Sequence, residues 1–223
     1  MDQVREKPWL AHYDPGVPPE IQVPDIPLWR FLEESARRFP QNVALEFLGK
    51  TLSYQELWGL ARRFAQGLKD LGVRPGDRVA IMLPNSPQFV IAFYGTLLAG
   101  GVGVNVNPLY TPRELRHQLA DAGAETLVIL DHLLPRYLEV EKEVPVKRVV
   151  VTGIKDFLPF PKNLLYPLKA KRDGLPLGFP KREGFHAFAD LLKRPPAEPH
   201  VPDPEDLALL QYTGGTTGLA KGA

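Results

Sequence analysis

The chain has 223 residues, enough to bury a hydrophobic core as one large domain or as one domain and part of another. Its apolar content of 44% and formal net charge of +1 indicate a folded, soluble protein and give no electrostatic case for nucleic-acid binding. The absence of cysteine excludes disulfides, thiolate catalysis and cysteine-ligated zinc, and the five histidines show no metal-ligand spacing.

The first elements are a predicted arm, a helix and a hairpin. Residues 1–26 contain prolines at positions 8, 15, 18, 19 and 24 and are predicted to run extended over the surface. They lack the basic-then-apolar pattern of a signal peptide, which predicts a cytoplasmic location. Apolar residues at helical spacing predict a helix over 27–39, and residues 43–47 and 51–52 flank Gly49-Lys50 as a short β-hairpin.

Strands and helices then alternate up to residue 152. Ser53 with Glu56, and Thr111 with Glu114, form capping boxes for helices that reach about residues 72 and 122, and Ser53 and Glu56 are assigned no catalytic role. The remaining predicted elements are strands at 78–83, 102–106, 126–130 and 148–152, a helix at 86–99, and a helix capped by Asp131 that reaches about residue 143. This alternation predicts that residues 27–152 form an α/β subdomain with a doubly wound, mostly parallel sheet covered by helices on both faces.

Residues 79–112 contain no charged side chain, and a stretch of that length could suit a membrane span. The run at 84–88, with two prolines, and Gly100-Gly101 divide the stretch into a strand, a helix and another strand. The sequence therefore predicts a buried core here.

Residues 153–204 form a predicted connector or insert rich in proline and basic residues. Between Lys155 and Arg194 there are nine basic and four acidic residues, with aromatic residues and leucines at 157–168. Two interpretations stay open: a surface that rests on an anionic membrane, where each basic residue contributes about 1 kcal/mol, or a solvated connector whose apolar residues pack on the body. The proline content argues against a long amphipathic helix.

Residues 205–223 are predicted to form a strand that ends at Thr213, followed by a glycine-rich phosphate loop. Glycines let several backbone N–H groups point at one anion, threonine hydroxyls add donors, and one lysine adds a mobile positive charge. Lys221 and Thr216 are the candidate catalytic residues. The predicted nucleotide-binding segment comprises Tyr212, Thr213, Gly214, Gly215, Thr216, Thr217, Gly218, Leu219, Ala220, Lys221, Gly222 and Ala223. It is not a Walker A loop, because glycine rather than serine or threonine follows Lys221.

The loop resembles the signature of the adenylate-forming ligases, Tyr/Phe-Thr-Ser-Gly-Thr-Thr-Gly-x-Pro-Lys-Gly. Gly214 and Ala220 replace the usual serine and proline, as in the long-chain fatty-acid–CoA ligase branch that this chain resembles. Two further segments occur in the family's order. Residues 52–57 are similar to its first core motif, and residues 98–115, which include Asn-Val-Asn-Pro-Leu-Tyr-Thr-Pro-Arg-Glu-Leu, are similar to the second.

The resemblance implies a two-step reaction with ATP, Mg²⁺ and CoA. A fatty acid carboxylate attacks the α-phosphorus of ATP to give an acyl-adenylate and pyrophosphate, and the CoA thiol then displaces AMP to give the thioester. The glycine-rich loop would hold the charge that develops on pyrophosphate. In the family the Mg²⁺-binding acidic residue and a second catalytic lysine lie further along the chain, so this chain is expected to be an N-terminal portion that is inactive alone. No residue of this chain is predicted to bind a metal.

Other interpretations stay open at this point. One is a relative that acts on a medium-chain or aromatic acid or resembles luciferase, and another is a non-catalytic nucleotide-binding or interaction module. The sequence also leaves open a homo-oligomer and a peripheral contact with the inner face of the membrane. Abundant proline, only five asparagines and no cysteine are consistent with a thermophilic source.

Overall fold

The computed structural model describes residues 7–213 and 221–223. Within the predicted arm, a 3₁₀ helix spans Pro8–His12, and no helix or strand follows it between residues 13 and 28. Ile21 and Val23 in this arm are 86% and 84% exposed. The arm therefore contributes little to the core, and its one helical turn was not predicted.

A helix and a hairpin precede the main sheet. Helix α1 spans Trp29–Arg38, and strands β1 (Val43–Phe47) and β2 (Lys50–Ser53) pair antiparallel. Helix α2 (Tyr54–Asp70) begins with the predicted capping box: the Glu56 N–H donates to Ser53 Oγ at 3.2 Å, and the Ser53 N–H donates to Glu56 Oε2 at 2.7 Å. The local signals for these elements are confirmed.

Within the described residues the main sheet has seven strands in the order β7-β6-β5-β3-β4-β8-β9, all pairs parallel except β8 with β9. Its elements in chain order are β3 (Arg78–Met82), α3 (Pro87–Ala99), β4 (Val102–Asn105), α4 (Pro112–Ala122), β5 (Thr126–Leu130), α5 (Leu134–Val140), β6 (Arg148–Thr152), α6 (Lys162–Arg172), β7 (Phe185–Ala187), α7 (Phe188–Leu191), β8 (Leu209–Thr213) and β9 (Lys221–Gly222). The predicted mostly parallel, doubly wound α/β sheet is confirmed.

Helices cover both faces of this sheet. Helix α2 packs against α1, α3 and α7, whereas α4 packs against α5. The crossovers from β3 to β4 and from β4 to β5 run in opposite directions across the sheet, so right-handed connections place α3 and α4 on opposite faces. The central strands are buried on both sides: Ala80 and Ile81 of β3, which point to opposite faces, have no exposed surface, and neither do Leu127 and Val128 of β5.

The uncharged stretch at 79–112 forms β3, α3 and β4, as predicted for a buried core. No helix in the described ranges, 7–213 and 221–223, is long and apolar enough to span a bilayer.

The prediction for Asp131 is wrong. Asp131 lies inside a 3₁₀ helix, Asp131–Leu133, and its Oδ1 accepts a hydrogen bond from the neighbouring His132 N–H at 2.8 Å instead of capping an α-helix. Helix α5 starts only after this turn, with Pro135 in its first turn, and ends at Val140 rather than near residue 143. The aspartate was a plausible cap by residue type, but the proline sets where the helix begins.

The region 153–204 adds regular structure that the sequence did not indicate. Strand β7 pairs with β6, with Val149 opposite Phe185 and Val151 opposite Ala187, so the sheet extends beyond residue 152. The proline content argued against a long amphipathic helix, and α6, with Pro167 inside it, is a short helix of eleven residues. One missing N–H donor removes a single helical hydrogen bond without ending so short a helix.

Candidate functional site

The carboxyl edge of the parallel sheet is where a ligand site is expected. Strands β3 and β5 are neighbours in the sheet. The chain passes from β3 to β4 on one side of this pair and from β5 to β6 on the other side. Ligands of open α/β sheets bind outside the carboxyl ends of the strands at such a reversal of strand order. Because β8 runs parallel to β4, its last residue, Thr213, lies at the same edge. The glycine-rich loop therefore begins at the edge expected to bind a ligand.

The structure describes the two ends of the predicted phosphate loop. Tyr212 and Thr213 lie at the end of β8, and Lys221, Gly222 and Ala223 follow on its antiparallel partner. The other predicted site residues lie outside the described residues. They are Gly214, Gly215, Thr216, Thr217, Gly218, Leu219 and Ala220.

The hairpin brings Thr213 and Lys221 together. Gln211 and Ala223 exchange two backbone hydrogen bonds of 3.0 Å each, which sets Tyr212 opposite Gly222 and Thr213 opposite Lys221. Directly opposed residues of an antiparallel pair have their side chains on the same face, and neighbouring residues alternate between faces. Thr213 and Lys221, which flank residues 214–220 and are both exposed, therefore share one face of the hairpin. A hydroxyl and an ammonium group side by side can bind phosphate oxygens.

Tyr212 lies on the other face of the hairpin. Its side chain is buried, with 8% of the residue exposed, and its hydroxyl donates a hydrogen bond of 2.6 Å to Asp121 Oδ2 on α4. Burial, followed by the hydrogen bond to Asp121, raises the pKa of the Tyr212 hydroxyl, so this group stays a donor at neutral pH. The structure thus places Tyr212 away from the face that Thr213 and Lys221 share.

A cavity of about 490 Å³ opens beside the hairpin at the carboxyl ends of β4 and β8. Asn105 Nδ2 donates to Gln211 Oε1 at 2.9 Å, and Gln118 Nε2 donates to the Asn105 carbonyl at 2.7 Å. The buried acceptors Asn105 Oδ1 and Gln118 Oε1 receive no hydrogen bond from residues that the structure describes. The cavity is lined by Phe89, Asn105, Val106, Asn107, Tyr110, Gln211 and Tyr212.

The turn after β4, residues 107–111, is held rigidly at the same edge. Asn107 Oδ1 accepts the Leu109 N–H at 2.9 Å, and Arg136 Nη1 donates to the carbonyls of Pro108 and Tyr110 at 2.6 and 3.0 Å. The Thr111–Glu114 capping box then starts α4. These bonds account structurally for Asn107, Thr111 and Glu114 in the second motif.

Sequence reasoning missed Asp121 and Gln118. Gln118 carried a signal, since it is a polar residue at a core-facing position of α4, between the buried Leu115 and Leu119, and is itself only 1% exposed. No such signal in the sequence marks Asp121, because its partner Tyr212 lies 91 residues further along the chain.

The described residues do not form a metal centre. No group of three or more His, Cys, Asp or Glu side chains that could hold an ion occurs in residues 7–213 and 221–223. The described residues thus provide no such set of protein ligands, and no step of the reaction is assigned to a metal here.

Comparison with known proteins is consistent with this geometry. A family model described as AMP-binding enzyme matches residues 32–223. The chain is 43% identical to the long-chain-fatty-acid–CoA ligase of Bacillus subtilis (strain 168) over 221 residues. The matched region covers 97% of the chain and 39% of that relative. The ligase of the same name from Escherichia coli O157:H7 is 39% identical over 228 residues, which cover 98% of the chain and 40% of that relative.

A solved structure is also similar. The long-chain-fatty-acid-CoA ligase from Archaeoglobus fulgidus matches with a TM-score of 0.73 at 26% identity, over 94% of this chain and 38% of that one. The chain thus spans about two fifths of the length of the relatives it matches.

Proposed function

The chain belongs to the family of AMP-binding enzymes, and on that premise we propose that it is part of an ATP-dependent long-chain fatty acid–CoA ligase. The observation that carries the proposal is the hairpin of β8 and β9, which sets Thr213 opposite Lys221 at the carboxyl edge of the sheet. The likeness to ligases of this name over nearly the whole chain supports the choice of substrate class.

The proposed reaction has two steps. A fatty acid carboxylate oxygen attacks the α-phosphorus of ATP, the bond to the bridging oxygen breaks, and pyrophosphate leaves. The CoA thiol, once it has lost its proton, attacks the acyl carbon and AMP leaves, which produces the thioester. Pyrophosphate gains negative charge as it departs in the first step, so donors placed around it lower the barrier.

This chain would supply those donors. We assign the backbone N–H groups of residues 214–218, the hydroxyls of Thr213, Thr216 and Thr217, and the Lys221 ammonium group to the β- and γ-phosphates of ATP. Lys221 and Thr213 support the assignment, because both are exposed and share one face of the hairpin. An exposed lysine can follow the pyrophosphate as it leaves.

The chain alone is proposed to be inactive in thioester formation. It spans 39% of the Bacillus subtilis relative, and residues 7–213 and 221–223 contain no carboxylate cluster for Mg²⁺. We therefore assign Mg²⁺ and most of the acyl and CoA contacts to parts of the ligase beyond this chain.

The proposal is tested with the complete ligase by ATP–pyrophosphate exchange, which reports the first step alone. We expect exchange that depends on a long-chain acid such as palmitate and exceeds the rate with octanoate or benzoate. A preference for benzoate or octanoate would reassign the substrate class. Lack of exchange with every acid would favour a non-catalytic nucleotide-binding module.

A second proposal concerns the membrane and rests on α6. Phe160, Leu164, Leu165 and Leu168 are 79%, 65%, 57% and 69% exposed, respectively, and the last turn of the helix carries Lys169, Lys171 and Arg172. Exposed leucines beside lysines suit the surface of an anionic bilayer, where a fatty acid substrate dissolves. We therefore propose a peripheral contact with the cytoplasmic face of the membrane.

Vesicle sedimentation tests this contact. The protein is expected to bind phosphatidylglycerol vesicles and not phosphatidylcholine vesicles, and the Leu164→Asp/Leu168→Asp variant should bind about tenfold more weakly. Val201→Asp, a change at another exposed apolar residue, is the matched control. Equal binding of all three proteins, or equal binding to both lipids, would contradict the proposal.

A further inference from the structure

Asp121 connects helix α4 to the hairpin that carries the glycine-rich loop. The Tyr212 hydroxyl donates to Asp121 Oδ2 at 2.6 Å, a short distance typical of a hydrogen bond to a charged acceptor. Tyr212 is buried although its neighbours in β8, Gln211 and Thr213, are exposed. Together with Gln211, which accepts a hydrogen bond from Asn105, this tyrosine therefore fixes the end of β8 to the body of the protein.

The Tyr212 ring in turn lies against Gly222. A Cβ atom added to Gly222 would be 2.9 Å from Cε2 and 3.0 Å from Cζ of the ring, closer than such atoms come in proteins. Tyr212 lies opposite Gly222 in the hairpin. The next pair, Gln211 and Ala223, exchanges two backbone hydrogen bonds, so Tyr212 and Gly222 form a non-hydrogen-bonded pair. The two strands approach each other most closely at non-hydrogen-bonded pairs, so the position of the Tyr212 ring sets how near the β9 backbone comes to β8.

Helix α4 gives this contact a rigid support. Leu115 and Leu119 on the same helix are 0% and 1% exposed and belong to the main core. Gln118, one turn before Asp121, donates to the Asn105 carbonyl at the end of β4. One helix therefore holds the carboxyl ends of both β4 and β8, and through Tyr212 it also reaches β9.

We propose that Asp121 is a positioning residue for Lys221, acting through the Tyr212 hydroxyl and the packing of the Tyr212 ring on Gly222. Lys221 directly precedes Gly222 and its side chain extends from the opposite face of the hairpin, so the contact that fixes Gly222 also fixes the backbone from which the Lys221 side chain extends. The inference rests on the proposed function, since it assigns Lys221 to the phosphates of ATP.

Kinetics of the complete ligase separate positioning from simple stabilisation. Asp121→Ala and Tyr212→Phe are each expected to lower kcat of acyl-adenylate formation about tenfold, the scale of a lost charge-assisted hydrogen bond, while KM for ATP changes by less than about twofold. Asp121→Asn keeps an acceptor oxygen and should recover part of the rate. Tyr13→Phe and Asp25→Ala, at exposed positions in the arm, are the matched controls.

The decisive comparison uses a Lys221→Ala background. If Asp121 acts through Lys221, adding Asp121→Ala to Lys221→Ala causes no further loss, and the Asp121→Ala/Tyr212→Phe double variant is no slower than either single variant. A tenfold loss that persists without the lysine, or an unchanged rate in Asp121→Ala, would overturn the proposal.

Amide hydrogen exchange in the 223-residue chain separates this inference from the proposed function. Asp121→Ala should speed exchange of the Ala223 and Gln211 N–H groups, which bond across the hairpin, whether or not the complete protein is a ligase. Unchanged exchange would overturn the role of Asp121, whereas faster exchange in a protein without ATP–pyrophosphate exchange would overturn only the function proposed for the loop.

Discussion

The central strands and the β8–β9 hairpin belong to one sheet but are stabilised in different ways. Every residue of β5 is buried, and β3 is buried from Val79 to Met82. In β8 only Tyr212 is buried, and both residues of β9 are exposed. The centre depends on apolar burial, which is strong and non-directional, whereas the hairpin depends on a few backbone bonds and one tyrosine. A strand pair of the second kind can hold a ligand-binding loop without being part of the core.

The largest expected difference between the two regions is in the free energy of unfolding. Ile81→Ala removes a fully buried side chain from β3 and should destabilise the 223-residue chain by about 2–5 kcal/mol, as measured by urea denaturation. Thr213→Ala, at an exposed position of the hairpin, should change the free energy of unfolding by less than about 0.5 kcal/mol. Similar losses in both variants would show that the hairpin is part of the cooperative core.

An effect of intermediate size is expected at the start of α2, which covers the central strands. The hydrogen bonds from Ser53 lower the pKa of the Glu56 carboxyl group. A lowered pKa in the folded state means that the carboxylate stabilises the protein above its ordinary pKa and that this contribution disappears as the pH falls through the lowered value. Because Glu56 is exposed, solvent screens this interaction, and Glu56→Gln should cost about 0.5 kcal/mol at neutral pH.

The difference in stability between Glu56→Gln and the unmodified chain should vanish in acid. Urea denaturation at several pH values measures it, and Glu46→Gln, at an exposed position of β1, is the control. A difference between Glu56→Gln and the unmodified chain that stays constant with pH would contradict this origin.

The smallest effect on overall stability is expected in the hairpin itself. Gly222→Ala forces the Tyr212 ring to move or the two strands to separate, since the new Cβ would lie 2.9 Å from the ring. Because the hairpin is at the sheet edge, we expect a change below about 0.5 kcal/mol in global unfolding, together with faster amide exchange at Ala223. A loss comparable with that of Ile81→Ala would remove the distinction between the two regions.

Local signals in the sequence predicted much of the fold. Strand β5 has its predicted bounds, 126–130, because a short apolar run between turn residues needs no distant partner to be recognised. Both capping boxes are formed for the same reason, since serine or threonine and glutamate three residues apart complete the motif by themselves.

Features that depend on distant partners were not predictable. Strand β7 has three residues and is a strand only because it pairs with β6, and the two residues of β9 depend in the same way on β8. Asp121 reads as an ordinary polar residue near the end of a helix until Tyr212 is placed beside it. The phosphate-binding role of residues 212–223 came from their composition and from family resemblance, and it stays a prediction.

Replacing Lys221 in the complete ligase tests whether the hairpin holds the phosphates of ATP. Lys221→Ala should slow ATP–pyrophosphate exchange about 100-fold, the effect of removing one donor from a developing anion. Lys142→Ala, at another exposed lysine, should leave the rate unchanged. Equal rates for Lys221→Ala, Lys142→Ala and the unmodified enzyme would contradict the assignment of this hairpin to ATP.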